Sequence, residues 1–200
     1  MELTRNLIII LITCVITENL VLSQFLGVCP FLGVSKKISS SFGMGCMIIF
    51  VMTCASVLTY PIYYFILVPL NIEFLNNIAF ILIIALFVQF TEMILKKFAP
   101  ALYKSLGIYL PLMTTNCAIL GVTILNITNE YSFIEAIFNA FCAGLGFLLV
   151  LLIFSGVRKR IERCNIPTAL GGMPITLVAA AIVSLSFIGF GGIVEGIFGA

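Results

Sequence analysis

A chain of 200 residues that is 62% apolar and only 9% charged cannot be a soluble domain, because a fold of this size needs a polar surface to meet water. The formal net charge of +2 is small, and no basic stripe interleaved with aromatics occurs, which excludes a nucleic-acid surface. Seven cysteines, an odd count, and no histidine argue against a disulfide framework and restrict any metal ligands to thiolate or oxygen.

The apolar residues come in runs of the roughly 20 residues a helix needs to cross a bilayer. Lipid offers the backbone no hydrogen-bond partners, so each run is expected to be helical, and the lack of alternating polarity excludes a β-barrel. Six spans are expected, at about 4–27, 42–64, 72–95, 102–125, 133–157 and 172–193, in a single membrane domain over 1–200. The first run, Leu7 to Val15, has only Arg5 ahead of it and no small-x-small cleavage site behind it. It is therefore expected to be retained as a span, not removed as a signal peptide.

Short connectors join the spans, and the basic residues sort among them. Lys36 and Lys37 lie in the first, Lys96, Lys97 and Lys104 around the third, and Arg158, Lys159, Arg160 and Arg163 in the fifth. The second and fourth, around Leu70 to Glu73 and Asn126 to Ser132, have none. The positive-inside rule then places connectors one, three and five in the cytoplasm and both termini outside. Asn126-Ile127-Thr128 in the fourth fits a glycosylation sequon.

Cys29-Pro30-Phe31-Leu32-Gly33-Val34 and Cys117-Ala118-Ile119-Leu120-Gly121-Val122 agree at four of six positions and occupy matching places in the two halves, about 1–99 and 100–200. Three spans per half would insert the halves in opposite senses, as two inverted three-helix repeats with broken or re-entrant half-helices. Gly27 lets the chain turn before Cys29, and Pro30 suits the start of a new helix. Thr114-Thr115-Asn116 supplies capping residues ahead of Cys117 in mid-span. Each cysteine is thus expected at a half-helix start, where exposed N–H groups favour a thiolate. The pseudo-symmetry brings the two together near the midplane. Two readings stand side by side: a pair of soft-metal ligands, or buried thiols beside packed glycines. Two thiolates are half of what an iron–sulfur cluster takes. Cys14, Cys46, Cys54, Cys142 and Cys164 have no matching motif and read as fillers.

Two carboxylates fall inside spans, Glu18 in the first and Glu92 in the third. Such groups are costly in lipid and often mark an ion path. Structural hydrogen bonding is the other reading for Glu18, and pairing with Lys96 one turn on is the other for Glu92.

Phe25-Leu26-Gly27-Val28-Cys29-Pro30-Phe31-Leu32-Gly33-Val34-Ser35-Lys36-Lys37, Val88-Gln89-Phe90-Thr91-Glu92-Met93 and Leu110-Pro111-Leu112-Met113-Thr114-Thr115-Asn116-Cys117-Ala118 resemble the RnfA/NqrE family over nearly the whole chain. The resemblance implies a subunit of the bacterial inner membrane that is not catalytic alone. It would work in the Rnf complex, a redox-driven translocase moving electrons from ferredoxin to NAD while carrying Na⁺ or H⁺. It implies a homologous RnfE-like sister and the further subunits RnfB, RnfC, RnfD and RnfG. It also implies a [2Fe–2S] cluster shared with the sister, with Cys29 and Cys117 as this chain's ligands. The alternatives are an NqrE-like subunit of the sodium-pumping NADH:quinone oxidoreductase, a stand-alone secondary transporter holding no iron, or a scaffold in which the cysteines only pack.

Overall fold

The computed structural model describes residues 10–11, 13–17, 19–34, 38–69, 75–98, 113–114, 116–161, 163–164, 167 and 172–198. Arg5, Glu18, Lys36, Lys37, Glu73 and Lys104 lie outside the described residues. Six α-helices are described and no strand: α1 Val28–Val34, α2 Ile38–Ile62, α3 Asn76–Phe98, α4 Cys117–Thr128, α5 Phe133–Ile161 and α6 Met173–Phe198. A π-helical stretch, Thr13–Thr17, precedes α1, and a second, Tyr63–Leu67, continues α2.

Local chemistry accounts for the ends. Pro61 lies inside α2 near its close and brings no N–H, so the regular ladder loses a rung there. The chain then widens into the π winding, with Val68 N–H donating to the Tyr63 carbonyl at 3.1 Å. Ser132 precedes α5, and its N–H and its hydroxyl both donate to Glu135 Oε2 at 3.1 and 2.8 Å, the first of these being the reach-back half of a capping box. Lys96 and Lys97 end α3, and Arg158, Lys159 and Arg160 end α5, where cations complement the helix carbonyls. Gly172 at φ +89° turns the chain into α6, and Pro174 sits in that helix's first turn, where no donor is missed.

Among the described residues, three stretches are long and apolar enough to cross a membrane: Ser40–Leu67, Asn76–Ile94 and Phe133–Ile161. Shorter apolar helices are Cys117–Thr128 and Pro174–Phe187. Of the expected runs, 4–27 and 102–125 are not single helices where they are described. The first leaves its helical winding after Thr17 and turns through 19–27, and the second is interrupted at Asn116. The physical cause in both is an asparagine whose side chain and carbonyl take over backbone N–H groups.

Burial ranks the long helices. The apolar window of α5 is 56% buried and that of α3 only 22%, so α5 is the axis and α3 lies at the rim. Met44, Ile48, Val51 and Met52 of α2 interlock with Phe147, Val150, Leu151 and Phe154 of α5, and Phe80, Ile84 and Val88 of α3 close one side. The outer face of α3 shows Ile78, Ile81, Leu82, Leu86 and Phe90, the surface expected of a helix facing lipid.

Helices in lipid gain no hydrophobic drive from meeting, so close backbone approach carries the contact. At Gly144 a Cβ would stand 2.9 Å from the Ile49 Cα across the α2–α5 seam. Gly144→Val is expected to destabilise the fold by about 2–3 kcal/mol through overpacking. Gly156→Val, where a Cβ meets nothing within 4 Å, should stay within about 0.5 kcal/mol. Thermal denaturation in detergent compares the two, and equal losses would contradict the seam.

Candidate functional site

The first break is built by Asn19, which is buried to 1% exposure. Its carbonyl accepts from the N–H groups of Leu22 and Ser23 at 3.0 and 2.8 Å, and its Oδ1 from Val21 N–H at 3.1 Å. These bonds draw the chain into a tight turn in place of a continued helix. Leu26 N–H then returns to the Leu20 carbonyl at 3.0 Å. Phe25 at φ +55° and Gly27 at φ +83° reverse the direction, and α1 starts at Val28 with Cys29 its second residue.

The second break is built by Asn116, also buried, at 4% exposure. Its extended backbone (φ −74°, ψ 109°) and its Oδ1, accepting from Ala118 N–H at 3.0 Å, make it the N-cap of α4. Cys117 is the first residue of that helix.

The two breaks meet. Gly27 N–H donates to Cys117 Sγ at 2.9 Å, across 90 residues of sequence. At Gly27 a Cβ would lie 2.7 Å from Phe147 Cε2, 3.0 Å from the Ala118 Cβ and 3.3 Å from Asn116 Oδ1, so only glycine lets the turn close on α4. Cys29 is exposed and Cys117 half-buried. Beside Cys117 lies a cavity of about 190 Å³ lined by Ile81, Ile84, Thr114, Asn116, Cys117 and Leu120.

From this junction the short helices run to opposite ends of α5. Arg158, in the last turns of α5, donates from Nη1 to the Leu32 carbonyl in α1 at 2.8 Å. Asn126, near the far end of α4, donates from Nδ2 to the Ala136 carbonyl in the first turn of α5 at 3.2 Å.

A buried polar chain lies behind the junction. Cys14 Sγ donates to Asn139 Oδ1 at 2.8 Å, Asn139 Nδ2 to Asn126 Oδ1 at 2.7 Å, and Asn126 Nδ2 to Ser56 Oγ at 3.0 Å. Asn126 is therefore no glycan acceptor: it is 3% exposed, inside α4, and its amide is committed on both sides. The sequon reading fails because the residue is held by packing, not displayed on a connector. The signal available in the sequence was two asparagines within or next to apolar runs, which lipid does not tolerate unpaired.

Of the predicted site residues, the structure joins the Cys29 turn to Cys117. It places Glu92, half-buried on α3, away from the described walls of the cavity. Glu18 lies outside the described residues. Cys142 is buried and Cys164 exposed. Among the described residues no group of three or more His, Cys, Asp or Glu could hold a metal ion. The donor set at the junction is thus two thiols at adjoining helix starts, with an N–H already turned to one sulfur and a cavity beside it. That set fits half the ligation of an iron–sulfur cluster, the exposed thiol leaving room for a second chain to bring the rest.

Fold and site together define an all-helical membrane protein whose two interrupted segments converge on a cysteine-bearing junction. The family described as "Rnf-Nqr subunit, membrane protein" matches residues 7–194, and the chain belongs to it. It is similar to the A component of the Na(+)-translocating ferredoxin:NAD(+) oxidoreductase complex of Acetobacterium woodii, 54% identical over 94% of this chain and 97% of that one. It is also similar to the A component of the ion-translocating oxidoreductase complex of Syntrophotalea carbinolica, at 49% identity over 96% and 100% of the two chains. The corresponding component from Aliivibrio salmonicida is 50% identical over 94% and 97%.

Proposed function

We propose that this chain is a membrane subunit of an ion-translocating ferredoxin:NAD oxidoreductase complex in a bacterial inner membrane. Its part there is to relay electrons through the bilayer by way of Cys29 and Cys117, which hold half of a [2Fe–2S] cluster completed by a homologous sister subunit. The observation that carries this reading is the Gly27 N–H bond to Cys117 Sγ, which ties together the two cysteine motifs. The relative named for ferredoxin:NAD oxidoreduction favours it over quinone reduction.

When bound, the cluster supplies one-electron carriage; the protein fixes its place and tunes its potential. Gly27 and Asn116 bring the two half-helix starts together, and Ile81, Ile84 and Leu120 keep the Cys117 side apolar. The order of a short helix followed by two long ones, seen twice, and the opposite courses of α1 and α4 support two inverted three-helix repeats. The basic ends of α3 and α5 support a cytoplasmic location for that end of the bundle, with both termini outside. Glu18 and Glu92 are the candidate ion-path carboxylates in this reading, with structural hydrogen bonding for Glu18 and pairing with Lys96 for Glu92 as the other readings.

The test is iron content and EPR of the intact complex carrying Cys29→Ser or Cys117→Ser. Either change is expected to remove one [2Fe–2S] signal and abolish ferredoxin-dependent NAD reduction. Unchanged iron and turnover in both would overturn the reading.

A further inference from the structure

The carboxamide of Asn116 is half used. Its Oδ1 caps α4 by accepting from Ala118 N–H, which fixes which end of the amide is oxygen. Its Nδ2 is buried and has no hydrogen-bond partner among the described residues. A buried donor left without an acceptor is rare in folded proteins and calls for an account. Asn116 lines the same cavity as Cys117, so the residue that carries the orphaned donor borders the space beside the thiol-bearing residue. The cap alone does not explain it, since serine or aspartate caps as well without bringing an amide donor.

We propose that Asn116 is a tuning residue of the cysteine-bound group, its Nδ2–H donating to a sulfur of the bound cluster. This rests on the cluster reading given above. Together with Gly27 N–H on Cys117 Sγ, it gives this half of the site two donors. Donors turned toward a group that gains negative charge on reduction stabilise the reduced form and raise its potential. The loss of one donor makes the cluster harder to reduce while leaving the ligands in place.

The experiment is an EPR-monitored redox titration of the intact complex with wild-type, Asn116→Ser and Asn116→Asp chains. Both variants keep an oxygen for the Ala118 N–H, so the helix cap survives in each. The [2Fe–2S] signal that depends on Cys29 and Cys117 is expected to persist. Its midpoint should fall in Asn116→Ser by a reduction equilibrium of about tenfold, about 59 mV for one electron, and further in Asn116→Asp, where a carboxylate adds repulsion. A purely structural cap would leave the midpoint where it is, and an unmoved midpoint with an intact signal in both variants overturns the proposal. Pulsed EPR of the wild-type complex labelled with 15N-asparagine does not depend on either variant assembling. A weak nitrogen coupling to the reduced cluster is expected, and its absence overturns the proposal too. No cysteine-dependent cluster signal in the wild type would sink the cluster reading itself, and this inference with it.

Discussion

Gly27→Ala is expected to cost the fold about 2–5 kcal/mol, combining about 1–2 for an L-residue held at positive φ with about 1–3 for overpacking. Gly27 sits at φ +83°, and the added methyl would stand 2.7 Å from Phe147 Cε2 and 3.0 Å from the Ala118 Cβ. Phe147 is fully buried in α5 and Ala118 in α4, so neither can move aside cheaply. The strain falls on the residue whose N–H meets Cys117 Sγ, so the proposed cluster should be lost along with stability. Gly172→Ala separates the two contributions. It shares the positive φ, at +89°, yet its Cβ meets nothing within 4 Å, and about 1–2 kcal/mol is expected from conformation alone. Thermal denaturation of the purified complex measures both, and a Gly27→Ala loss no larger than that of Gly172→Ala would show that the turn does not press on α4 and α5.

The second large effect is expected at Asn139→Leu, at about 2–3 kcal/mol. The change removes the acceptor of the Cys14 thiol and the donor to Asn126 Oδ1 in a region where Asn126 is 3% and Ser56 1% exposed. An orphaned buried group costs about 1–3 kcal/mol. Measured side-chain hydrogen bonds inside membrane proteins run lower, about 0.6 kcal/mol on average with a maximum near 1.7, which holds the sum down. A double-mutant cycle between Asn126→Leu and Asn139→Leu, read by denaturant titration, should give a coupling of about 0.6–1.7 kcal/mol. Strict additivity would mean that the two amides act independently.

Much of the architecture is legible in the chain because lipid imposes a length. Runs of about 20 apolar residues have one use, and the long helices 38–62, 76–98 and 133–161 fall where those runs are. The half-helix starts are legible too, since Gly27 ahead of Cys29-Pro30, and Thr114-Thr115-Asn116 ahead of Cys117, carry their turn and cap chemistry locally. That the two starts meet is not local. The Gly27–Cys117 contact depends on how α5 presents Phe147 to the turn, and no pattern within either motif records it. Asn126 misleads for the same reason. A polar residue after Leu125 reads as the end of a span, whereas the amide is taken up by Ser56 and Asn139 on two other helices. Arg158 reads as one of a solvated basic group, but its long side chain reaches back to the Leu32 carbonyl. The unpartnered Nδ2 of Asn116 could not be read at all, because it is defined by which acceptors packing fails to supply.

The head-to-head meeting of α1 and α4 sets a distance scale. Seven residues of α1 lead toward the basic end of α5 and 12 residues of α4 toward the other. At the helical rise these are about 10 Å and about 18 Å, together close to the ~30 Å thickness of the hydrocarbon core. As described, the two pieces amount to one span whose break lies nearer the basic end of α5. In the proposed relay, electron tunnelling slows exponentially with distance, so the hop on the side of α4 would set the pace of a crossing by way of the cysteines.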